Sequence, residues 1–70
     1  MVSRQTDLLV FIRTFTARNG YPPTIEEMRA GLGWSSKSMV AYHLADLEES
    51  GQITRTPKMA RTIRVVKVPA

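Results

Sequence analysis

The side chains of this seventy-residue chain that could do chemistry fall into three groups. Ser35, Ser36, Ser38 and Tyr42 crowd hydroxyls into one short stretch, with Met39 and Ala41 between them. These residues suit hydrogen bonding and close contact. A second group, Arg55, Lys58 and Arg61, lies between residues 51 and 70, where five cations stand without an acid. Such a pole attracts a polyanion, although a basic surface is also a common solubility device. The third group is where catalysis or metal binding would be sought: His43 and the acid pairs Glu26-Glu27 and Glu48-Glu49. His43 is the only histidine and there is no cysteine, so no ligand set forms around it. A packed, hydrogen-bonded structural histidine is the expectation. The acid pairs sit at helix ends, where capping, solvation or i,i+4 pairing accounts for them. Gly31-Leu32-Gly33 lacks the preceding strand and third glycine of a phosphate loop. We therefore expect no catalytic residue, metal, cofactor or small-molecule substrate, and no enzyme.

The elements that must position these groups are legible in order. Ser3 to Asn19 reads as a helix, with Leu8, Phe11, Ile12 and Phe15 at i, i+3, i+4 and i+7 facing the core. Asn19-Gly20 ends it, and Gly20-Tyr21-Pro22-Pro23 leads rigidly into Thr24, which forms a capping box with Glu27. Residues 24–32 then make a short helix through Ile25, Met28 and Leu32. Gly31-Leu32-Gly33 is expected to supply the turn, with Trp34 as an apolar plug. Ser35 or Ser36 caps a longer helix over 36–50, stopped by Gly51. Its inward face holds Val40, Leu44 and Leu47, with His43 about 60° away. Ser38, Tyr42 and Ala45 point outward, with Met39 and Ala41 on the shoulders. Acids are confined to the trailing end, at Asp46, Glu48 and Glu49. After Gly51 the pattern becomes a hairpin over 52–68, with strands at Gln52–Thr56 and Thr62–Val68 and a turn at Pro57–Ala60. Two helices about a glycine-containing turn, followed by a hairpin, make a small α+β winged helix-turn-helix: three helices and a two-stranded wing in one domain over residues 1–70. In such a motif the second helix enters the DNA major groove.

Size and composition set the bounds. Seventy residues allow one small core. The absence of cysteine excludes a disulfide framework and fits a reducing cytoplasm. The longest apolar run, Leu8 to Ile12, is too short for a membrane span or signal peptide, so a cytoplasmic location is expected. The net charge of +4 is uneven: residues 1–24 carry +2, 25–50 carry −3 and 51–70 carry +5.

From about Arg4 to Val66 the chain resembles the N-terminal DNA-binding domain of the LexA family of SOS-response repressors. The resemblance rests on Gly20-Tyr21-Pro22-Pro23-Thr24, Leu32-Gly33, Ser35 to Val40, His43-Leu44, Leu47 to Gly51 and Ala60-Arg61-Thr62-Ile63. It implies base-edge contacts from Ser36, Ser38, Met39, Ala41 and Tyr42. It also implies phosphate contacts from Ser35 and Lys37 and, in the wing, from Arg55, Lys58 and Arg61. Met39 and Tyr42 are bulkier than many residues the family places in the groove. LexA-type repressors continue into a peptidase and dimerisation domain with a self-cleavage site and a Ser-Lys dyad. These seventy residues have no counterpart to it.

Two functions fit. One is a sequence-specific regulator of double-stranded DNA, a repressor, that needs a second copy on a two-half-site operator or a partner protein for tight binding. The other is a protein-interaction module that reuses the winged helix to bind a regulator or a polymerase.

Overall fold

The computed structural model describes residues 4–56 and 58–66. Helix α1 spans Arg4–Asn19, α2 Ile25–Leu32 and α3 Lys37–Glu49; strands β1 (Ile53–Thr54) and β2 (Arg64–Val65) pair antiparallel. Ser3, Pro57 and Lys67-Val68, expected in the first helix, the turn and the second strand, lie outside the described residues.

Each helix end has a side-chain or glycine device. At the start of α2 the Thr24 hydroxyl accepts from the Glu27 amide at 3.1 Å, and the Glu27 carboxylate accepts from the Thr24 amide at 2.8 Å. The two bonds satisfy donors that the first turn leaves open. Both α2 and α3 end in the same way. Gly33 takes φ 71°, the Trp34 amide donates to the Arg29 carbonyl (3.0 Å), and the Gly33 amide to that of Ala30 (3.2 Å). Gly51 takes φ 81°, Gln52 donates to Leu47 (3.0 Å), and Gly51 to Glu48 (3.1 Å). Each is a Schellman pair, which needs the left-handed conformation open to glycine.

The core comprises Leu8, Leu9 and Ile12 of α1, Met28 of α2, Val40, Leu44 and Leu47 of α3, Ile53 of β1 and Ile63 beside β2. Leu9 is not on the expected α1 stripe, yet only 2% of it is exposed, whereas Phe11 and Phe15 are half-buried. The cause is that α1 is packed by α2, α3 and β2 together, so it buries more than one face. Each fully buried aliphatic side chain contributes about 1.5–3 kcal/mol.

Two expectations are refined. Gly31 lies inside α2, as the 24–32 bounds of the short helix imply, and the turn itself begins at Gly33. A Cβ on Gly31 would come within 2.3 Å of Phe11 Cε2 and 2.4 Å of Cζ, so this glycine lets α1 and α2 approach. The paired strands are also shorter than expected, two residues each. Beyond Thr54 and before Arg64 the Thr62 side chain replaces the ladder: its hydroxyl accepts from the Thr56 amide at 3.0 Å. It also lies 3.3 Å from the Thr56 carbonyl and 3.1 Å from that of Met59.

Gly31→Ala gains about 1 kcal/mol of helix propensity but overpacks the Phe11 ring, at a cost of about 1–3 kcal/mol. Thermal unfolding should therefore show a loss of up to about 2 kcal/mol. Against a Phe11→Leu background the same substitution should be neutral or favourable. If Gly31→Ala alone stabilises the protein, the ring moves aside freely and the close-approach account is wrong.

Candidate nucleic-acid interface

The leading end of α3 is built by its cap. Ser36, extended at φ −150° and ψ 153°, accepts from the Met39 amide at 3.2 Å and so fixes the first turn. Ser35, Ser36, Lys37 and Ser38 are exposed around it, and that turn holds no acid. The partial positive charge of the helix start is therefore left uncompensated by the protein. One turn on, Tyr42 is 62% exposed. Its ring lies 5.3 Å from that of His43, which lies 5.4 Å from that of half-buried Trp34. A phenol that would otherwise swing freely is thus backed by a stack that reaches the core edge. His43 is packed as expected but not hydrogen-bonded as expected: its Nδ1 is buried without a partner among the described residues. Its ring sits between those of Trp34 and Tyr42.

Met39 and Ala41 are half-buried on the shoulders of this face. Arg4, at the start of α1, donates to the Met39 sulfur at 3.3 Å. Gln5 donates to Asp46 at 2.6 Å. The α1 start thus lies along α3, and Arg4 is an exposed cation beside the candidate face that sequence reasoning missed. No local signal could have found it, because its partner is 35 residues away.

The wing cations divide into bound and free. Arg55 Nε donates to Glu48 at 3.2 Å. Arg61 makes a fork on Glu27 at 2.9 and 3.1 Å, donates to the Pro22 carbonyl at 3.2 Å, and lies 4.6 Å above the Tyr21 ring. Lys58 is exposed, with no ion pair among the described residues. Lys58 and Arg61 both adopt positive φ, 64° and 58°, a conformation costly for non-glycine residues. Arg61 is held there by its four contacts. The fork on Glu27 also shows in its acidity: the Arg61 hydrogen bond first, then the Thr24 amide, hold this carboxyl below the usual carboxylate range. Arg29 holds Glu26 low in the same way, across 2.7 Å.

Lys58 and Arg55 border a hollow with Ile25 and Glu48, so the wing turn lies by the start of α2 and the trailing end of α3. No helix among the described residues is long and apolar enough to cross a membrane, and no group of metal-binding side chains is found among them.

The chain matches the LexA DNA binding domain family over residues 1–62. It is 48% identical over 63 residues to a LexA repressor of Roseiflexus sp., covering 90% of this chain and 29% of that protein. A LexA repressor of Carboxydothermus hydrogenoformans is 40% identical over 63 residues, with 90% and 31% covered. One from Bacillus mycoides is 39% identical over 66 residues, with 94% and 32% covered. The chain belongs to the LexA DNA-binding domain family. It spans about a third of the length of these repressors.

Within this LexA-family domain, the residues expected to touch DNA separate by position. Ser35, Ser36, Lys37, Ser38 and Tyr42 come together, exposed, at the leading end of α3, with Met39 and Ala41 at its margin. Lys58 has no ion pair among the described residues, whereas Arg55 and Arg61 each have a carboxylate partner.

The Arg61 fork generates a prediction. Glu27→Gln keeps an acceptor for the Thr24 cap but removes the charge under Arg61. It should leave α2 helical and speed exchange of the hydrogen-bonded wing-turn amides of Thr56 and Met59 by on the order of a few-fold. Adding Arg61→Gln should change little more. The wild-type wing should loosen in acid too. The depressed pKa of Glu27 stabilises the fold above the ordinary carboxylate range, and that contribution is lost as pH falls through the folded-state value. Additive effects of the two substitutions would show that the fork does not hold the wing.

Proposed function

We propose that this domain represses transcription by inserting the leading half of α3 into the major groove of double-stranded DNA. The observation that carries the reading is the exposed, acid-free α3 start, where Ser36, Ser38 and ring-backed Tyr42 face outward while every acid of the helix sits at its other end. Ser36, Ser38 and Tyr42 read base edges, with Met39 and Ala41 in apolar contact at the margin. Ser35 and Lys37 meet phosphates at the groove edge. From Ser38 to Glu48 the helix rises by about 15 Å, comparable to the width of the groove, which puts the wing turn near the backbone that borders it. Lys58 contacts that backbone directly. Arg55 and Arg61 do so only by sharing a guanidinium with Glu48 or Glu27, and contribute less. Two copies occupy a two-half-site operator, and by likeness to the LexA repressors the regulated genes belong to the SOS response.

Selection from a random duplex library should enrich one short motif, occurring as a pair about one helical turn apart. Tyr42→Ala should then lose about 1–3 kcal/mol of preference for that motif with little change in unfolding temperature. An equal loss on selected and random DNA would remove Tyr42 from base reading, and no enriched motif would overturn the proposal.

The wing is tested by salt. Each phosphate contact adds about 0.9 to the slope of log affinity against log salt concentration. Lys58→Gln should flatten the slope by about that amount, and Arg61→Gln by clearly less, because its charge is already matched internally. A larger effect at Arg61 than at Lys58 would mean that the fork opens on DNA; no effect at either would place DNA on another face.

A further inference from the structure

A groove of about 790 Å³ runs between the second half of α1 and β2, on a part of the molecule to which α3 contributes no lining residue. Arg13 and Thr16 of α1 form one wall, Ile63 to Val65 the other, and Tyr21 closes one end. The register of the wing says which way the second wall faces. Ile53 pairs with Val65 and Thr54 with Arg64, and the Val66 amide donates to the Gln52 carbonyl at 2.8 Å. In an antiparallel ladder hydrogen-bonded and non-bonded pairs alternate. Gln52 with Val66 and Thr54 with Arg64 are therefore the bonded pairs. The amide and carbonyl groups of Ile63 and Val65 turn away from β1, and no backbone partner is found for them among the described residues. The wing thus has an open edge on the side of this groove.

The chemistry around that edge is one-sided. Arg13 and Arg64 are exposed and have no ion pair or hydrogen bond among the described residues. Arg61 lines the groove too but is matched by Glu27. No acid among the described residues lines the groove, and its remaining surface includes Ile12, Ile63 and Val65. We propose that the groove between α1 and the open edge of β2 binds an extended acidic segment of a partner protein, which adds a third strand to the wing. Strand addition uses the free backbone groups for affinity and alternate side chains for choice of partner. With a period of two, one set of side chains meets Val65 and Ile12 and the other meets Arg13 and Arg64, so the fitting segment alternates apolar and acidic residues. A second copy of the chain is a poor occupant, because edge-to-edge pairing would set Arg64 of each copy against the other. A phosphate backbone would use the cations but not the strand edge or the apolar floor. Because α3 does not line the groove, such a partner can sit on the domain while it is on DNA.

The test is NMR titration of the ¹⁵N-labelled protein with four probes. These are a synthetic Glu-Val alternating octapeptide, the same peptide N-methylated at every second residue, an oligoglutamate of equal length, and a random DNA duplex. The expected result is that the alternating peptide shifts and protects the Ile63 and Val65 amides and the N-methylated peptide does not. Arg13→Glu with Arg64→Glu should weaken binding by about tenfold or more. Both arginines are exposed, and the spectrum of the core amides checks that the variant is folded; Arg13→Gln with Arg64→Gln replaces it if not. Equal binding of the oligoglutamate or the N-methylated peptide would reduce the site to general charge attraction and overturn the proposal. So would absence of binding, or shifts of the Ile63 and Val65 amides by DNA in place of the peptide. Concentration-dependent shifts of these amides without a probe would give the edge to a second copy.

Discussion

One carboxylate ties the helix-turn-helix to its wing. Glu27 Oε1 accepts from the Thr24 amide and from Arg61, and Oε2 accepts from Arg61 again. The first bond starts α2; the other two bring the turn after β1 back to that same point. Both ends of this connection lie near the surface, so its strength as an ion pair is modest and screened by salt. Its geometric effect is larger. The hairpin has only two paired residues on each strand, and a two-stranded ribbon of that length is not stable alone. Ile53 and Ile63 anchor it in the core, the Thr62 hydroxyl ties its sides together, and the Arg61 fork fixes where its turn lies.

The helices were legible in the sequence because their signals are local. Thr24 with Glu27, Ser36 before an apolar period, and Gly33 and Gly51 as stops all act within a few residues. What failed depended on distance along the chain. Gly31 falls within the expected bounds of α2, but the reason for a glycine there is Phe11, twenty positions earlier. Leu9 falls outside the single stripe expected of α1, a helix that three elements in fact enclose. Arg55 and Arg61 looked like free cations, and their carboxylates stand seven and 34 residues away. For the candidate site the leading end of α3 could be read from hydroxyl clustering and the placement of acids. Arg4 beside Met39 and the open edge of β2 could not, since both are products of packing.

The aromatic residues follow the same division. Phe11 and Phe15 sit 6.0 Å apart, Phe15 meets Tyr21 edge-on at 5.9 Å, and Tyr21 lies under Arg61. Helical spacing identified the first two as packing residues. It gave no hint that the series continues through the Gly20–Pro23 connection to the wing. A second series, Trp34, His43 and Tyr42, runs from the core margin to the exposed leading face of α3. Rigid aromatic contacts of this kind limit the rotamers open to Tyr42 without needing a hydrogen bond, which is consistent with the unpartnered Nδ1 of His43.

Net charge alone misstates what the surface offers. Glu26, Glu27 and Glu48 are each matched by an arginine, so half of the six acids no longer oppose an approaching polyanion. The same pairs remove Arg29, Arg55 and Arg61 from the free cations. Among the described residues this leaves Arg4 and Lys37 near the head of α3, Lys58 on the wing turn, and Arg13, Arg18 and Arg64 elsewhere. The basic segment that dominated the sequence is therefore split by folding. Part of it is structural, one lysine faces the side where α3 and the wing turn meet, and Arg64 joins Arg13 from α1 beside the open strand edge. A basic count per segment predicts one polyanion-binding pole; pairing and topology resolve it into two surfaces with different chemistry, one framed by a helix start and the other by an unpaired strand.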